Sequence, residues 1–392
     1  GHSCDQDKGE RGVNFGLSPR AETLLTSVKE MVRDDIAPIE ADYHAEVQTG
    51  DPWAFTARQT EILERLKSRA KARGLWNFWL TEGDGGTGLS TVEYAYLAEE
   101  TGKSPLAAEV FNCSAPDTGN MEVFQKYGTD AMKTRWLKPL MQGEIRSAYL
   151  MTEPDVASSD ATNIALSAVR DDGAYVLNGE KYYASGAGDP RCAVYIVMVR
   201  TGGDDLPKHQ RHSMIVVDAQ TPGIEVVRPM RVFGHDDAPH GHMHIRFTDV
   251  RVPAEDMLLG EGRGFEIAQG RLGPGRIHHC MRVIGMAEVA LEMMCKRGLA
   301  REAFGKPLAQ LGANYDLIAD ARMDIEQARL LCLKAAWMMD NATPREAAPW
   351  ISAVKVAAPK MAIKVIDEAT QLLGATGISQ DVPLTQMWIY AR

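Results

Sequence analysis

The spacing of apolar residues changes twice along this chain, and that change limits the folds open to it. From about residue 20 to 142, apolar side chains recur every three to four positions, which predicts helices. From about 145 to 255 they alternate in short runs such as AVYIVMV and HSMIVVD, which predicts strands. From about 262 onward the helical spacing returns in long segments. The order of helices, strands and helices predicts an α+β chain.

The same pattern predicts three domains. We expect an N-terminal α-helical domain over 1–144, a middle antiparallel β-barrel over 145–258 and a C-terminal four-helix bundle over 259–392 that stops short at its C-terminal end. Long helical segments are expected at 262–299, 314–341 and 345–373, followed by a short helix at 383–391.

Local signals place turns and a helix start within these domains. Asn178-Gly179 suits a type I′ hairpin because both turn residues of that type need a positive φ, and Asp171-Asp172-Gly173 is a second turn signal. Ser90 and Glu93 predict a capping box, in which each side chain accepts from the other residue's backbone N–H.

Composition narrows the class of protein. The net charge of -10 argues against a general nucleic-acid surface, which needs clustered Lys and Arg. The 6 cysteines are scattered without CxxC spacing, which favours reduced thiols in a cytoplasmic protein. The polar N-terminus predicts no signal peptide, and the lack of a run of about 18 apolar residues predicts no membrane span.

Two motifs are open to more than one interpretation. GDGGTG at 83–88 matches the GxGxxG dinucleotide fingerprint, but a helix rather than a βαβ unit leads into it, which favours a surface loop. His240, His242 and His244 alternate, so a strand would place them on one face as a metal site. No Cys, Asp or Glu is obviously spaced to complete the ligand set, and polar residues on an exposed strand face are favoured. We expect no metal.

GRLGPGRIHHC at 270–280 juxtaposes two histidines and a cysteine. On a helix, successive side chains point about 100° apart, so three neighbours cannot converge on one ion or form a nucleophile with its base. His279 and Cys280 are therefore interpreted as packing residues. Arg276 follows Gly273 and Gly275, which allow a ligand to approach the backbone closely, and is either a ligand anchor or a surface charge.

Several further motifs occur in order over nearly the whole chain, from about residue 20 to 392. They are YLMTEPDVASSD (149–160), LNGEKYYAS (177–185), FTDVRVPAEDMLLGEGRGF (247–265), REAFGKPLAQ (301–310) and QLLGATG (371–377). Together with the order of domains, they resemble the acyl-CoA dehydrogenase family. GDGGTG matches that family's surface turn. EPDVASSDATN and GRLGPGRIHHC resemble the animal branch in which an aminoglycoside-kinase-like domain can precede the dehydrogenase, a domain absent from this sequence.

The resemblance implies FAD, an acyl-CoA substrate and oxidation to a trans-2-enoyl-CoA within fatty acid β-oxidation, a branch of lipid metabolism. The α-proton would be removed by a carboxylate while the β-hydrogen passes as hydride to flavin N5. Electrons would go to an electron-transfer flavoprotein. An oxygen-using flavoenzyme of the same fold, such as an acyl-CoA oxidase or a nitroalkane-oxidase-like enzyme, and a non-catalytic acyl-CoA-binding homologue are the alternatives.

The resemblance also assigns cofactor residues. Those expected beside FAD are Tyr149, Met151, Thr152, Ser158, Ser159, Tyr183, Ala184, Ser185, Arg301, Gln371, Gly374 and Ala375. Ser185 keeps the hydroxyl that suits N5, and Tyr183 stands where relatives carry the tryptophan that covers one flavin face. Arg301 and the segment from Gln371 match residues that reach a neighbouring subunit's FAD, which implies a homo-oligomer, expected to be a tetramer. Gly312 departs from the glutamine of many relatives.

The expected substrate contacts are Ser158, Gly273, Pro274, Gly275 and Arg276. The catalytic carboxylate has no match within 1–392. In most relatives it follows the segment matching VPLTQMWIYAR, so we expect an Asp or Glu soon after Arg392. A minority of relatives place it at the position of Gly275, which has no side chain.

Overall fold

The chain packs into two compact units. The structure is a computed structural model that describes residues 12–81, 83 and 85–392, with only the backbone of 272–274. One unit, which we call the helical unit, contains the described residues up to Val28 together with Gly88–Lys103 and Ile277–Arg392. The other, the sheet unit, contains Lys29–Thr87 and Ser104–Arg276. Each unit therefore combines segments that are distant in sequence.

Helices occupy the first part of the described chain, as the apolar spacing predicts. They are α1 (Pro19–Met31), α2 (Glu40–Val47), α3 (Ala57–Ala72), α4 (Thr91–Thr101), α5 (Ala107–Val110), α6 (Asp117–Tyr127), α7 (Asp130–Met132) and α8 (Lys138–Gln142). Between α1 and α2 the backbone changes to a π-helical turn, Val32–Ile36, and a 3-10 turn, Ala37–Ile39. Pro38 lies in that second turn and lacks the N–H that a continuous helix would need.

The capping box at the start of α4 is confirmed. Ser90 Oγ accepts from the Glu93 N–H at 3.1 Å, and the Glu93 carboxylate accepts from the Ser90 N–H at 2.9 Å. The next N–H groups, of Thr91 and Val92, donate to the Asp340 carboxylate at 2.8 and 3.1 Å. A carboxylate at a helix N-terminus satisfies donors that the helix itself cannot use.

The middle segment forms one mixed sheet. Its strands are β1 (Arg146–Leu150), β2 (Ser167–Asp171), β3 (Ala174–Ser185), β4 (Cys192–Arg200), β5 (His212–Asp218), β6 (Ile224–Pro229), β7 (His242–Pro253) and β8 (Met257–Leu258). The order across the sheet is β6-β7-β3-β2-β4-β5-β8, with β1 beside β4. Buried side chains such as Leu177, Val197, Ile215 and Ile245 form its core.

The predicted antiparallel barrel is wrong. Among the described residues the edge strands β6 and β8 do not pair, so the sheet stays open. β8 has only two residues and offers too short a ladder to close a barrel. β4 also runs parallel to β1 along Cys192–Val197, so the sheet is mixed rather than antiparallel.

The predicted hairpin at Asn178-Gly179 is also wrong. Both residues lie inside β3, where the pairing with β7 shifts register. The Asn178 side chain accepts from the Asp249 N–H at 2.9 Å and so supports this irregularity. The β2–β3 turn is formed by Asp172 and Gly173, whose φ angles of 41° and 73° are those of a type I′ turn.

Long helices follow the sheet, close to the predicted ranges. The elements are α9 (Gly264–Ala300), the short strands β9 (Glu302–Ala303) and β10 (Lys306–Pro307), α10 (Asn314–Asn341), α11 (Pro344–Leu373) and α12 (Leu384–Ala391). In the helical unit, α10 packs on α11 and also on α4, a helix from the N-terminal segment. No helix of the described chain has the length and apolarity needed to cross a bilayer.

Helices α4 and α9 cross at two glycines. A Cβ atom added to Gly285 would overlap the carbonyl oxygen of Glu99, and one added to Gly102 would overlap the carbonyl oxygen of Arg282. Arg329 of α10 holds the crossing from the side, donating to both Glu99 carboxylate oxygens at 2.9 and 2.8 Å. It also pairs with Glu288 of α9. The backbones therefore approach as closely as they do only because neither position carries a side chain.

This crossing predicts a position-specific loss of stability. Gly285→Ala should lower the free energy of unfolding by about 1–3 kcal/mol, because the added methyl group pushes α4 and α9 apart. Denaturant unfolding measures the change. Gly275→Ala, in the same helix, is the matched control: a Cβ there meets no described atom within 4 Å, so helix propensity should keep stability equal or raise it by up to about 1 kcal/mol. Equal losses in both variants would contradict the close approach.

Candidate functional site

A β-bulge in β3 places two tyrosines side by side. Lys181 pairs with Ile245 and Ala184 with Met243, so Tyr182 and Tyr183 together oppose one residue of β7. Tyr183 has a φ of 53°, a left-handed conformation that costs a non-glycine residue about 1 kcal/mol or more. Its side chain is 46% exposed, and its ring centroid lies 4.7 Å from that of Tyr182. The bulge thus presents an aromatic ring to the surface.

Ser185 lies on the strand just beyond this bulge and is also exposed. Ala184 between them is buried in the sheet core, so only its backbone can contact a ligand on the exposed face. Ser185 Oγ lies 2.8 Å from His242 Nδ1 on the paired strand. We call the exposed surface of Tyr183 and Ser185 the Tyr183 face.

A buried ion pair fixes the loop beside this face. Glu153 follows β1 and accepts from the N–H groups of Ala165 and Leu166 at 2.8 and 2.9 Å. It also accepts from Lys181 Nζ at 2.7 Å, where both side chains are almost fully buried. Burial lowers the pKa of Lys181 to about 8, against the opposing influence of Glu153. We call this pair the Lys181–Glu153 clamp.

The clamp determines where the 151–158 loop lies. Lys181 Nζ also donates to the Met151 carbonyl at 3.0 Å, and the Tyr182 N–H donates to the Thr152 carbonyl at 2.9 Å. Ser158 Oγ accepts from the Glu153 N–H at 2.9 Å, so its hydroxyl closes its own loop. Thr152 remains exposed.

Neither residue of the clamp was singled out from the sequence. Glu153 and Lys181 both lie within the quoted motifs, YLMTEPDVASSD and LNGEKYYAS. The signal available in the sequence was a charged residue among apolar and hydroxyl-bearing neighbours in each motif. If such a charge is buried on folding, it is nearly always paired. Ser159, a weaker cofactor candidate, is exposed at the end of the same loop.

Tyr149, at the end of β1, is covered by a charged group. The Arg271 guanidinium lies 3.8 Å from its ring centroid, and Arg271 Nε donates to Asn120 Oδ1 at 3.1 Å. Burial raises the pKa of Tyr149 to about 12, opposed by Arg271. Burial also raises the pKa of nearby Glu122 to about 7, again opposed by Arg271. This part of the sheet unit is therefore polar rather than a plain apolar wall.

The alternating histidines contact different partners. His240 Nδ1 lies 2.8 Å from the Asp189 carboxylate, and His244 Nε2 lies 2.7 Å from that of Glu180. His242 pairs with Ser185 as described. Within the described part of the chain, no group of three or more His, Cys, Asp or Glu residues is arranged to hold a metal ion.

The His-His-Cys stretch lies on α9, where His278 and Cys280 are buried and His279 is half-buried. The His278 ring meets the Tyr94 ring edge-on with centroids 4.6 Å apart, and burial lowers the pKa of His278 to about 3. Burial raises the pKa of Cys280 to about 11, which keeps its thiol protonated and unreactive. The backbone remains helical through Pro274.

The proposed ligand residues just before it are less fully described. Gly273 and Pro274 lie in α9, where only the backbone is described. Gly275 has open space where a side chain would stand, and Arg276 is exposed. The loop at 83–88 is likewise described only in part, because Asp84 is outside the described residues.

The remaining cofactor candidates belong to the helical unit. Arg301 is exposed immediately after α9, beside the β9–β10 hairpin. Phe304 at the tip of that hairpin is 95% exposed. Gln371, Gly374 and Ala375 are exposed together where α11 ends, and Gly374 adopts a φ of 65° that suits glycine.

The chain therefore combines helices, a mixed sheet and further helices with an exposed aromatic ring and hydroxyl on one strand, and comparison with known families identifies its class as a flavin-dependent oxidoreductase. Models of the acyl-CoA dehydrogenase N-terminal, middle and C-terminal domains match residues 18–144, 148–250 and 262–392. The chain belongs to the acyl-CoA dehydrogenase family.

Two curated relatives illustrate the match. The chain is 50% identical over 386 residues to acyl-CoA dehydrogenase family member 11 of Gallus gallus, covering 97% of this chain and 49% of that protein. It is 48% identical over 381 residues to the probable acyl-CoA dehydrogenase FadE2 of Mycobacterium tuberculosis, covering 97% and 92%. The chain thus spans about half the length of the chicken relative.

Solved structures share the fold. A putative acyl-CoA dehydrogenase from Mycobacterium abscessus superposes with a TM-score of 0.92 at 48% identity, covering 96% of this chain and 94% of the other. Butyryl-CoA dehydrogenase from Megasphaera elsdenii superposes with a TM-score of 0.80 at 28% identity, covering 96% and 94%. PigA with FAD and proline, at 23% identity and a TM-score of 0.80 over 96% and 93%, shares the fold alone.

FAD is the expected cofactor of a chain in this family, and the described residues fit it. The Tyr183 ring is exposed and can lie against a planar isoalloxazine, while Ser185 offers a hydroxyl on the same side of the strand. The adjoining loop exposes Thr152 with its hydroxyl. The buried ion pair between Lys181 and Glu153 holds this loop in place.

The clamp predicts an asymmetric response to substitution. Lys181→Met leaves the Glu153 carboxylate buried without its cation and should lower the free energy of unfolding by about 3–5 kcal/mol. The double variant Lys181→Met with Glu153→Gln should recover part of this loss, because no unpaired charge remains. Chemical unfolding of the apoprotein measures both. Asp171→Asn, which breaks an exposed ion pair to Arg251, is the control and should cost less than about 1 kcal/mol. A double variant no more stable than the single one would contradict the clamp.

His278 predicts a pH dependence. Its folded pKa of about 3 lies below the ordinary 6.5, so protons bind the unfolded chain more readily. Its contribution is complete above pH 6.5 and is lost as pH falls toward 3, at about 1.4 kcal/mol per pH unit. Between pH 7 and 5, the wild type should therefore lose about 2 kcal/mol more stability than His278→Gln. The exposed His235→Gln serves as control and should follow the wild type across the same pH series.

Proposed function

We propose that the protein is an FAD-dependent acyl-CoA dehydrogenase that oxidises an acyl-CoA to a trans-2-enoyl-CoA and passes the electrons to an electron-transfer flavoprotein. The observation that carries this proposal is the Tyr183 face beside the Lys181–Glu153 clamp. Membership of the family supports the reaction class, and the likeness to a butyryl-CoA dehydrogenase supports an acyl-CoA substrate.

The chain's own groups would hold the cofactor in the sheet unit. When bound, FAD supplies a two-electron acceptor for hydride at N5. Tyr183 would pack against one face of the flavin ring, and the Ser185 oxygen would lie on the side of N5. Met151 and Thr152 contact the ring edge through the loop that the clamp fixes, with Tyr149 at the adjoining end of β1. Ser158 and Ser159 complete that loop. The Ser158 hydroxyl accepts from the Glu153 N–H and so stabilises the loop itself.

Substrate contacts are assigned to the N-terminal half of α9. Arg276 is an exposed cation that would pair with an anionic or carbonyl group of the acyl-CoA. The segment 273–275 would lie along the substrate, since Gly275 leaves space beside it. Hydrogen bonds to the thioester carbonyl would stabilise charge that develops as the α-proton leaves. The carboxylate that accepts this proton is still predicted to follow Arg392.

We also propose a homo-oligomer, with a tetramer as the expected form. Phe304 is almost fully exposed at the tip of a hairpin, so its apolar ring is available for contact with a second subunit. Arg301 is exposed beside the same hairpin, and a planar cation there suits the pyrophosphate of a neighbouring subunit's FAD. Gln371, Gly374 and Ala375 would contact the same neighbouring cofactor.

Anaerobic reduction tests the proposed reaction. The full-length protein carrying FAD should lose the visible absorbance of oxidised flavin when acyl-CoA is added without oxygen, and should recover it slowly in air. A panel from short to very long acyl-CoA identifies the preferred chain. Rapid peroxide formation in air would instead identify the acyl-CoA oxidase or nitroalkane-oxidase-like alternative. Retention of the oxidised spectrum with every acyl-CoA would leave a non-catalytic binding homologue.

Arg276→Ala separates substrate binding from flavin chemistry in the same experiment. Loss of a charged anchor should raise the acyl-CoA concentration needed for half-bleaching by about tenfold or more. Bleaching by dithionite should be unchanged, because that reductant needs no anchor. An unaltered acyl-CoA requirement would show that Arg276 is a surface charge.

A further inference from the structure

His242 contacts the serine of the Tyr183 face through a bond that is fixed on both sides. Its Nδ1 lies 2.8 Å from Ser185 Oγ, and the two residues are paired across β3 and β7. The His242 carbonyl accepts from the Met230 N–H at 2.7 Å, and the Gly186 N–H donates to the Gly241 carbonyl at 2.9 Å. These backbone bonds keep the two residues directly opposite each other on neighbouring strands, so their side chains start from adjacent positions.

The direction of this hydrogen bond depends on which imidazole nitrogen carries the proton. Nε2 is the nitrogen that faces a negative charge, since the Asp237 carboxylate lies 3.6 Å from it. The neighbouring His244 does not compete for Asp237, since it pairs with Glu180. In the tautomer that carries its proton on Nε2, on the Asp237 side, Nδ1 is the acceptor and Ser185 donates to it.

A serine that has donated its only proton can still accept. In that arrangement the hydroxyl proton of Ser185 is directed at His242, which leaves the oxygen lone pairs for the exposed side of the strand. On that side, Ser185 can receive an N–H but has no proton to offer. Without His242, the same hydroxyl would rotate freely and could donate or accept equally well.

We propose that His242 is a positioning residue that makes Ser185 a hydrogen-bond acceptor toward flavin N5. This rests on the proposed function in one respect, the placement of N5 opposite Ser185. N5 carries a hydrogen only after FAD has gained two electrons and that hydrogen, so an acceptor there favours the reduced cofactor. Ser185 and His242 neither gain nor lose a proton overall. His242 thereby raises the tendency of bound FAD to take electrons.

The midpoint potential of bound FAD tests this without any acyl-CoA. It is measured against a reference dye during slow enzymatic or dithionite reduction of the holoprotein. His242→Ala should make the potential more negative, so that the ratio of reduced to oxidised FAD at a given potential falls roughly threefold to tenfold. His242→Asn should restore most of it, because its side-chain oxygen can accept near the position of Nδ1. The exposed His235→Ala is the control and should match the wild type.

A double-variant cycle distinguishes positioning from a general effect on the sheet. In a Ser185→Ala background, His242→Ala should cause no further change in potential, because the group through which it acts is gone. Equal shifts in both backgrounds, or a His242→Ala potential equal to the wild type, would overturn the proposal. Failure of the wild type to retain FAD would instead count against the proposed function, as would absence of bleaching by acyl-CoA with the potentials behaving as expected.

Discussion

The loop next to the Tyr183 face depends on one buried ion pair. A lysine and a glutamate removed from water are stabilised only if each finds its partners, and Glu153 finds them in Lys181 and two backbone N–H groups. Because these partners come from β3 and from the segment leading into β2, the carboxylate fixes three stretches of chain at once. The exposed residues nearby can then vary in chemistry without the loop losing its position.

The exposed position of the Tyr183 ring is a consequence of backbone geometry and not only of the residue type. An extra residue in β3 turns Tyr183 onto the same side as Tyr182, at a φ that disfavours any residue but glycine. Strain of this kind persists where the surrounding sheet determines the conformation, and here β7 pairs on both sides of the bulge. All three domain models of the acyl-CoA dehydrogenase family match the chain, and the proposed function places this strained tyrosine against the flavin.

Local patterns in the sequence predicted what local forces decide. The ends of α10 and α11 agree with the predicted ends within a residue or two, because the apolar spacing that predicts a helix involves only residues of that helix. The hairpin was misplaced because Asn-Gly and Asp-Gly have the same backbone preference, and only pairing with a distant strand decides between them. The prediction of a closed barrel was wrong for a similar reason, since closure depends on pairing between the two edge strands, which local patterns do not determine. The sequence does not reveal the clamp because its two residues are 28 positions apart and meet only in the folded protein.

The division of the chain into interleaved units has a consequence for how it is made. Helix α4, with its buried apolar side chains Tyr94 and Leu97, leaves the ribosome long before α9 and α10, the helices that pack against it. At a synthesis rate of about 5–20 residues per second, that apolar surface waits for roughly 10–40 seconds without its final neighbours. The sheet unit, whose last residue is Arg276, is synthesised completely before the helical unit is. Synthesis of the helical unit is therefore completed after that of the sheet unit, and α4 remains without its helical neighbours throughout that interval.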